Sequence, residues 1–573
     1  MKRERVHTVE TIALVVLGSA SAAMIVRSII VIYQNYFIVL FWDQWDLIPN
    51  LIRNAATTKS WSYLFKAHNE HVIATSKLLF LLDLALFHLT NWPLVLSTIL
   101  LAFPIAWLLA VLLFWDRPRS KLFWAVWLSF AASGLSLVQW ENLLWGFQPQ
   151  FYLVLLGALA SIIIALKVPS AQGSKSLGWL AALAFAMGFC IFSMGNGIAI
   201  PVSVLFLLIL FRASWLKCLA AVSFSAIYIG TFFMLTHGSA AVGDPSLKTP
   251  YNMGMFFFTM IGSPLNGDMH LAAIAGLSLF FALSALFASY LVVPWIWRRP
   301  IDPGLAGLFA LVGFLLATAA AAAWARTSLG VGAAMASRYA TPMLLLWMSV
   351  CAVLMRISFV TKTQTLITQG LLWLSLAATF WTAAGSSLRP DVVYTIGERA
   401  RAINQAAYFV ASGVLSPPEL ALLYPDSHLL RTAISFLRVH RLNIFADRMG
   451  PLGLRRNKSL NVLIAKLLPV CALGFVAQAI RLGSNSWEVK GWASDARQRT
   501  PRWILATDRA GRLLGYTAPV VPRPDVERAI GAHHFRGFVL PLQISDSTSG
   551  PYSVIGLFDG QNDACWLALP LHY

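Results

Sequence analysis

Charge is scarce in this chain, and negative charge is scarcest: only 12% of its 573 residues are charged, with 24 Asp and Glu against 43 Lys and Arg. With 58% hydrophobic residues and a mean hydropathy of +0.69, a water-soluble globular protein is excluded. Phosphate cradles are missing as well. Neither a GxxxxGK[ST] run nor the glycine fingerprint of dinucleotide-binding units occurs, so a nucleotide-fed reaction lacks its usual backbone site. The five cysteines form no CxxC pair of the zinc or redox kind.

Long apolar runs fill the space left by charge. About eleven reach or approach the length that crosses a bilayer as a helix, from Thr11 to Tyr33 through Pro93 to Phe114, Ile198 to Phe211 and Pro342 to Leu354 to Leu366 to Ala384. Basic residues mark alternate connections: Lys2, Arg3 and Arg5, then Arg117, Arg119 and Lys121, Lys167 and Lys175, Arg212 and Lys217, Arg298 and Arg299, and Arg356 and Lys362. This alternation predicts a cytoplasmic amino terminus and an external carboxyl terminus. The net charge of +19 is thereby largely a topology signal, and no nucleic-acid partner is expected. The first run carries Arg27 without a cleavage pattern and reads as an anchor.

Beyond the last run the composition changes. Residues 1–387 form the expected transmembrane domain, 388–454 a polar helical connector, and 455–573 an external β-sandwich. That sandwich is read from "SWEVKGWASD", "RWILATDRAGRLLGYTAPVV" and "YSVIGLFDG", with a hairpin turn at Asp508 to Gly511. Cys471 and Cys565 bracket it, either as a disulfide on an oxidising face or as two buried thiols. A rival reading makes Asn461 to Ile480 a twelfth span, which would move the β-module inside.

The predicted topology leaves residues 34–92 as a long first external loop, with amphipathic stretches suited to interfacial helices. It opens on "FWDQWDLIPN". Carboxylates at a membrane edge are costly and so point to function, and Asp43 and Asp46 stand here between Trp42 and Trp45. A partly desolvated carboxylate has the raised pKa that suits a general base; solvated charges beside belt tryptophans are the plain alternative. Downstream lies "HNEH", with His68, Asn69, Glu70 and His71. The two histidines are spaced for metal ligation, making a divalent cation possible, though without a fourth ligand hydrogen bonding is preferred. "QWENLLWGFQPQ" sets Glu141, Asn142 and Gln148 among aromatic rings that could stack on a sugar. "SMGNG" holds Asn196 in a turn or a backbone-lined site. "ASRYATP" places Arg338 and Tyr339 externally, where an arginine can grip a phosphate.

Together the acidic "DQWD" after the first span, the long first external loop, "HNEH" and the outward "SRY" resemble the GT-C class of integral-membrane glycosyltransferases. The likeness covers about Thr11 to Leu388. It implies a polyprenyl-phosphate sugar donor and a glycan or lipid acceptor, in a bacterial inner membrane with the C-terminal domain periplasmic. By position it implies Asp43 as general base with Asp46 its rival, Glu70 as the second acidic site, and Arg338 as ligand of the carrier phosphate. Two other readings use lipid-linked sugars: a flippase, and a polysaccharide polymerase or ligase. Internal repeats with mid-span charges would favour the first, and a large late external loop the second.

Overall fold

The structure, a computed structural model, describes residues 2–49, 62–237, 243–265, 267–360, 387–415, 417–446, 470–495, 497–509, 511–531, 535–544, 552–558 and 564–569, with isolated positions between 370 and 385. The chain divides into two compact units. One comprises Met1–Gln34, Lys59–Leu81 and Pro93–Ile396; the other comprises Asn35–Thr58, Leu82–Trp92 and Gly397–Tyr573.

In the first unit, 9 helices among the described residues are long and apolar enough to cross a membrane, among them Leu14–Gln34, Trp92–Leu113, Pro149–Lys167 and Pro303–Leu329. They fall on expected apolar runs, and helix is the form that satisfies each backbone without help from water. Two runs differ. Ile198 to Phe211 yields an α-helix of 11 residues, Ile200–Leu210, because "GNGIA" coils as a 3-10 turn ahead of it. Leu366 to Ala384 falls mostly outside the described residues. A helix that the apolar runs do not announce, Pro250–Gly262, packs on Met269–Phe287. Glycine makes this approach possible: a Cβ on Gly262 would stand 1.9 Å from the Ala272 carbonyl oxygen, and one on Gly276 2.0 Å from that of Phe258.

Basic residues of separate connections meet at one end of this unit. Buried Arg356 pairs bidentately with Asp302, at 2.7 and 2.6 Å, and donates to the carbonyls of Leu113 and Trp115 at 3.0 and 2.8 Å. The Lys167 ammonium lies 4.2 Å from the Trp115 ring centre, and Arg117 donates to the Phe359 carbonyl at 2.7 Å. Arg356 thus ties three helix ends, and its charge-assisted bonds to Asp302 and the two carbonyls offset the desolvation of a buried ion pair.

The second unit carries helices Pro417–Leu423 and Ser427–Val439 and eight strands: β1 Leu473–Arg481, β2 Ser486–Ser494, β3 Trp503–Thr507, β4 Leu513–Thr517, β5 Val521–Pro522, β6 Arg536–Gln543, β7 Tyr552–Leu557 and β8 Ala564–Leu569. They pair antiparallel in two sheets, ordered β1-β2-β6-β5 and β4-β3-β7-β8. Alternate residues turn inward. Val489, Ala493, Phe538 and Leu540 from one sheet thus share a core with Ile504, Val554 and Leu567 from the other. β3 and β4 flank the expected turn, where Gly511 takes φ +78° and donates to the Asp508 carbonyl at 3.0 Å. Cys471 and Cys565 are joined as a disulfide. The second half of Asn461 to Ile480 belongs to strand β1 and not to a membrane helix; residues 461–469 lie outside the described residues.

Candidate functional site

The polar residues singled out in the sequence fall into both units, and each group is described within its own. The acid pair belongs to the second. After extended Phe41, residues Trp42–Gln44 make one 3-10 turn that carries Asp43, and Trp42 sits at φ +47°. Buried Gln44 staples this turn: its Oε1 accepts from the Phe41 amide at 3.2 Å, and its Nε2 donates to Asn91 Oδ1 at 2.9 Å. Asn91 in turn donates its backbone amide to Asp83 Oδ2 at 3.0 Å and its side-chain amide to the Phe37 carbonyl at 3.1 Å. Asp83 is fully buried. Burial pushes its carboxyl up to about 6, outweighing the donors from Asn91 and Thr90.

Asp46 is half-buried, and its Oδ1 accepts a 2.5 Å hydrogen bond from the Tyr424 hydroxyl. Burial raises its pKa, the Tyr424 bond pulls against the rise, and the charge of Asp426 adds to it. The flanking tryptophans separate in environment: Trp42 is exposed, while Trp45 is wholly buried, so Trp45 is a packing residue of the turn and not a belt anchor.

In the first unit, His68 and His71 exchange backbone hydrogen bonds of 2.8 and 3.0 Å, closing a tight loop around Asn69, which takes φ +49°. Glu70 pairs with Arg326, and His71 Nε2 stands 3.5 Å from the same carboxylate. The loop docks on "SMGNG". A Cβ on Gly195 would come within 2.5 Å of His71 Nδ1, so the ring lies over a position that only glycine leaves open. Thr75 donates to Ser193 at 2.9 Å, and Asn196 donates to Thr318 at 3.0 Å. The His68 ring lies 4.9 Å from that of Phe147, which brings in the loop bearing Gln148 and Gln150. Burial holds His68 near about 3 and His71 near about 4, so both imidazoles are neutral at physiological pH. Buried Lys77 braces the loop, donating to the carbonyls of Tyr63 and Lys66. Burial, then the charge of Lys66, pushes its amine down to about 8.

Beside this group, Glu141 and Asn142 hold the "SRY" turn by its backbone. Glu141 Oε2 accepts from the Arg338 amide at 3.0 Å, and Asn142 Nδ2 donates to the Arg338 carbonyl at 2.7 Å and to Thr341 at 2.6 Å. The Arg338 guanidinium stands 5.6 Å from the Tyr339 ring centre. The structure thus unites "HNEH", "FQPQ" and "SMGNG", and joins "QWEN" to "SRY". Sequence reasoning missed Arg326, Lys77, Asp83, Asn91 and Tyr424. Arg326 had a signal, since it closes an apolar run on the same predicted side as Arg338; Tyr424 had none.

These features define an integral multi-pass membrane protein that carries a C-terminal pair of antiparallel sheets. No protein-family model and no curated protein matches the chain.

Proposed function

We propose that this protein is a membrane glycosyltransferase of the GT-C kind, moving a sugar from a polyprenyl-phosphate donor to a cell-surface glycan or lipid acceptor on the outer face of a bacterial inner membrane. The observation that carries this reading is a set of buried polar atoms with no hydrogen-bond partner among the described residues: His68 Nε2, His71 Nδ1, Gln148 Oε1, Gln150 Oε1 and Asn196 Oδ1. Each such atom costs about 1–3 kcal/mol until something pairs it. The amide oxygens accept and the neutral imidazoles accept or donate, which matches the hydroxyls of a sugar. An apolar groove of about 440 Å³ lined by Leu265, Trp347, Cys351, Leu374 and Trp381 supports a lipid-borne substrate, since the described side chains of its wall offer an isoprenoid chain hydrocarbon, sulfur and indole.

In this mechanism Asp43 takes the proton of the acceptor hydroxyl, with Asp46 as the rival base, while the acceptor oxygen bonds the anomeric carbon and the bond to the carrier phosphate breaks. Arg338 stabilises the departing phosphate, Glu70 orients a substrate, and a single displacement inverts the anomeric centre. A divalent cation would add to the same stabilisation. Residues 1–387 form the catalytic domain, and the C-terminal module is periplasmic.

The test uses purified, folded protein and a polyprenyl-phosphate sugar. Asp43→Asn, Asp46→Asn and Glu70→Gln are each expected to lower transfer, and the true base to lower it by about 100-fold or more. Wild-type rates in all three variants would remove the acids from the mechanism. Donor movement across the bilayer without transfer would make the chain a flippase.

A further inference from the structure

The segment after the last apolar run reads in the sequence as a connector to the β-module, yet it is bonded to the acid-bearing stretch at four points. Asn404 donates to the Tyr36 carbonyl at 3.2 Å, and Asn443 donates to the Ile38 carbonyl at 2.8 Å. The Arg399 guanidinium lies 5.4 Å from the Phe41 ring centre, and Tyr424 donates to Asp46 Oδ1 at 2.5 Å. Arg399 and Asn404 come from one helix, Pro390–Ser412, and Tyr424 and Asn443 from the ends of two later elements. A plain linker has no reason to spend two asparagine amides, an arginine and a tyrosine on one short stretch of chain that ends in two carboxylates.

We propose that Tyr424 is a positioning residue of the acid site: its hydroxyl holds one oxygen of the Asp46 carboxylate and so fixes how that group is presented. The proposal rests on the sugar-transfer reading for its function, though not for its chemistry. A phenol aimed at a carboxylate makes a charge-assisted hydrogen bond, shorter and stronger than a neutral one, which fixes the rotamer of the acid and favours its ionised form. The surroundings fit this role. Burial raises the Tyr424 phenol well above its ordinary range, and its bond to Asp46 and the charges of Asp46, Asp43 and Asp426 raise it further, so the proton stays on the phenol and Tyr424 acts as donor. Among the described residues, Asp43 and Asp426 are charged groups whose fields reach this pair. On the opposite flank Gln44 and Asn91 hold the turn itself, so the carboxylate is fixed at its tip by Tyr424 and at its base by the turn.

The test is made on the full-length protein in lipid nanodiscs, with a hydrophobic carbodiimide that modifies protonated carboxyls and is read by peptide mass spectrometry. Tyr424→Phe removes a donor that favours the carboxylate, so the pH midpoint of Asp46 labelling is expected to rise by about one unit. A fluorotyrosine at position 424, a stronger donor of nearly the same shape, is expected to move the midpoint the other way, which a packing role would not do. If Tyr424→Phe does not fold, the fluorotyrosine protein alone decides. An unchanged midpoint in the folded variants overturns the proposal whatever the activity shows. Sugar transfer is measured beside it, where Tyr424→Phe is expected to lower kcat about 10-fold with KM unmoved. A shifted midpoint in a protein that transfers no sugar leaves Tyr424 as the positioning residue and removes the transferase reading.

Discussion

At the scale of single residues, the decisive feature is where polar atoms are spent. Glu141 spends its carboxylate and Asn142 its amide nitrogen on the Arg338 turn, whereas Asn142 Oδ1, Gln148, Asn196 and the two histidines keep buried atoms unpaired among the described residues. Asp83 offers a test that needs no substrate. Its folded pKa of about 6 stands above the unfolded value near 3.9, so the native state holds this proton more tightly than the unfolded chain. Burial of Asp83 therefore costs nothing below about pH 4 and costs its full amount, about 3 kcal/mol, above about pH 6. Asp83→Asn should stabilise the protein at pH 7 by up to that amount, with the gain fading to nothing as pH falls to about 4. Chemical unfolding across this range measures it, and a gain that grows toward acid would contradict the assignment. The buried histidines act with the opposite sign, destabilising the fold as pH falls below about 6.5, and they do so equally in the wild type and in Asp83→Asn.

At the scale of elements, length and backbone accounting decided what each segment became. Apolar runs near 20 residues are helices. "SMGNG" became a 3-10 turn because its glycines admit the His71 ring, and a Cβ on Gly197 would stand 2.3 Å from the Cys190 carbonyl oxygen. In the β-module, alternating residues produced strands with one buried face, and the disulfide links β8 to the residue just ahead of β1 across a sequence separation of 94. Closing a loop of that length removes entropy from the unfolded chain, so Cys565→Ser should destabilise the module by about 2–5 kcal/mol. Limited proteolysis after oxidising and reducing treatment would report it, with the serine variant insensitive to reductant. Equal protection of both proteins would mean that the bond adds nothing.

At the scale of the whole molecule, the two ends of the first unit differ in chemistry. One gathers Arg117, Lys167 and Arg356 around Trp115 and Asp302; the other carries the Glu70 and Arg326 pair and the turns bearing Asn196 and Arg338. A single cysteine at Ser120 should therefore be labelled by an impermeant maleimide only from the cytoplasm, and one at Leu329 only from outside. Labelling of both from one side would break the predicted alternation.

Membrane residence, the helical runs, the β-module and the candidate motifs were all legible in the amino-acid sequence, because hydropathy and period are local properties fixed by backbone satisfaction in lipid and by strand pleating. Partnerships were not legible. Tyr424 meets Asp46 across 378 positions and Arg326 meets Glu70 across 256, and no local pattern encodes a pairing that exists only after helices pack. The sequence by itself determined that acids would be few and set beside aromatic rings at the ends of apolar helices. Only the tertiary structure decided which are paired, which are buried and which polar atoms are left open, since desolvation and hydrogen bonding depend on neighbours that the chain brings together by folding.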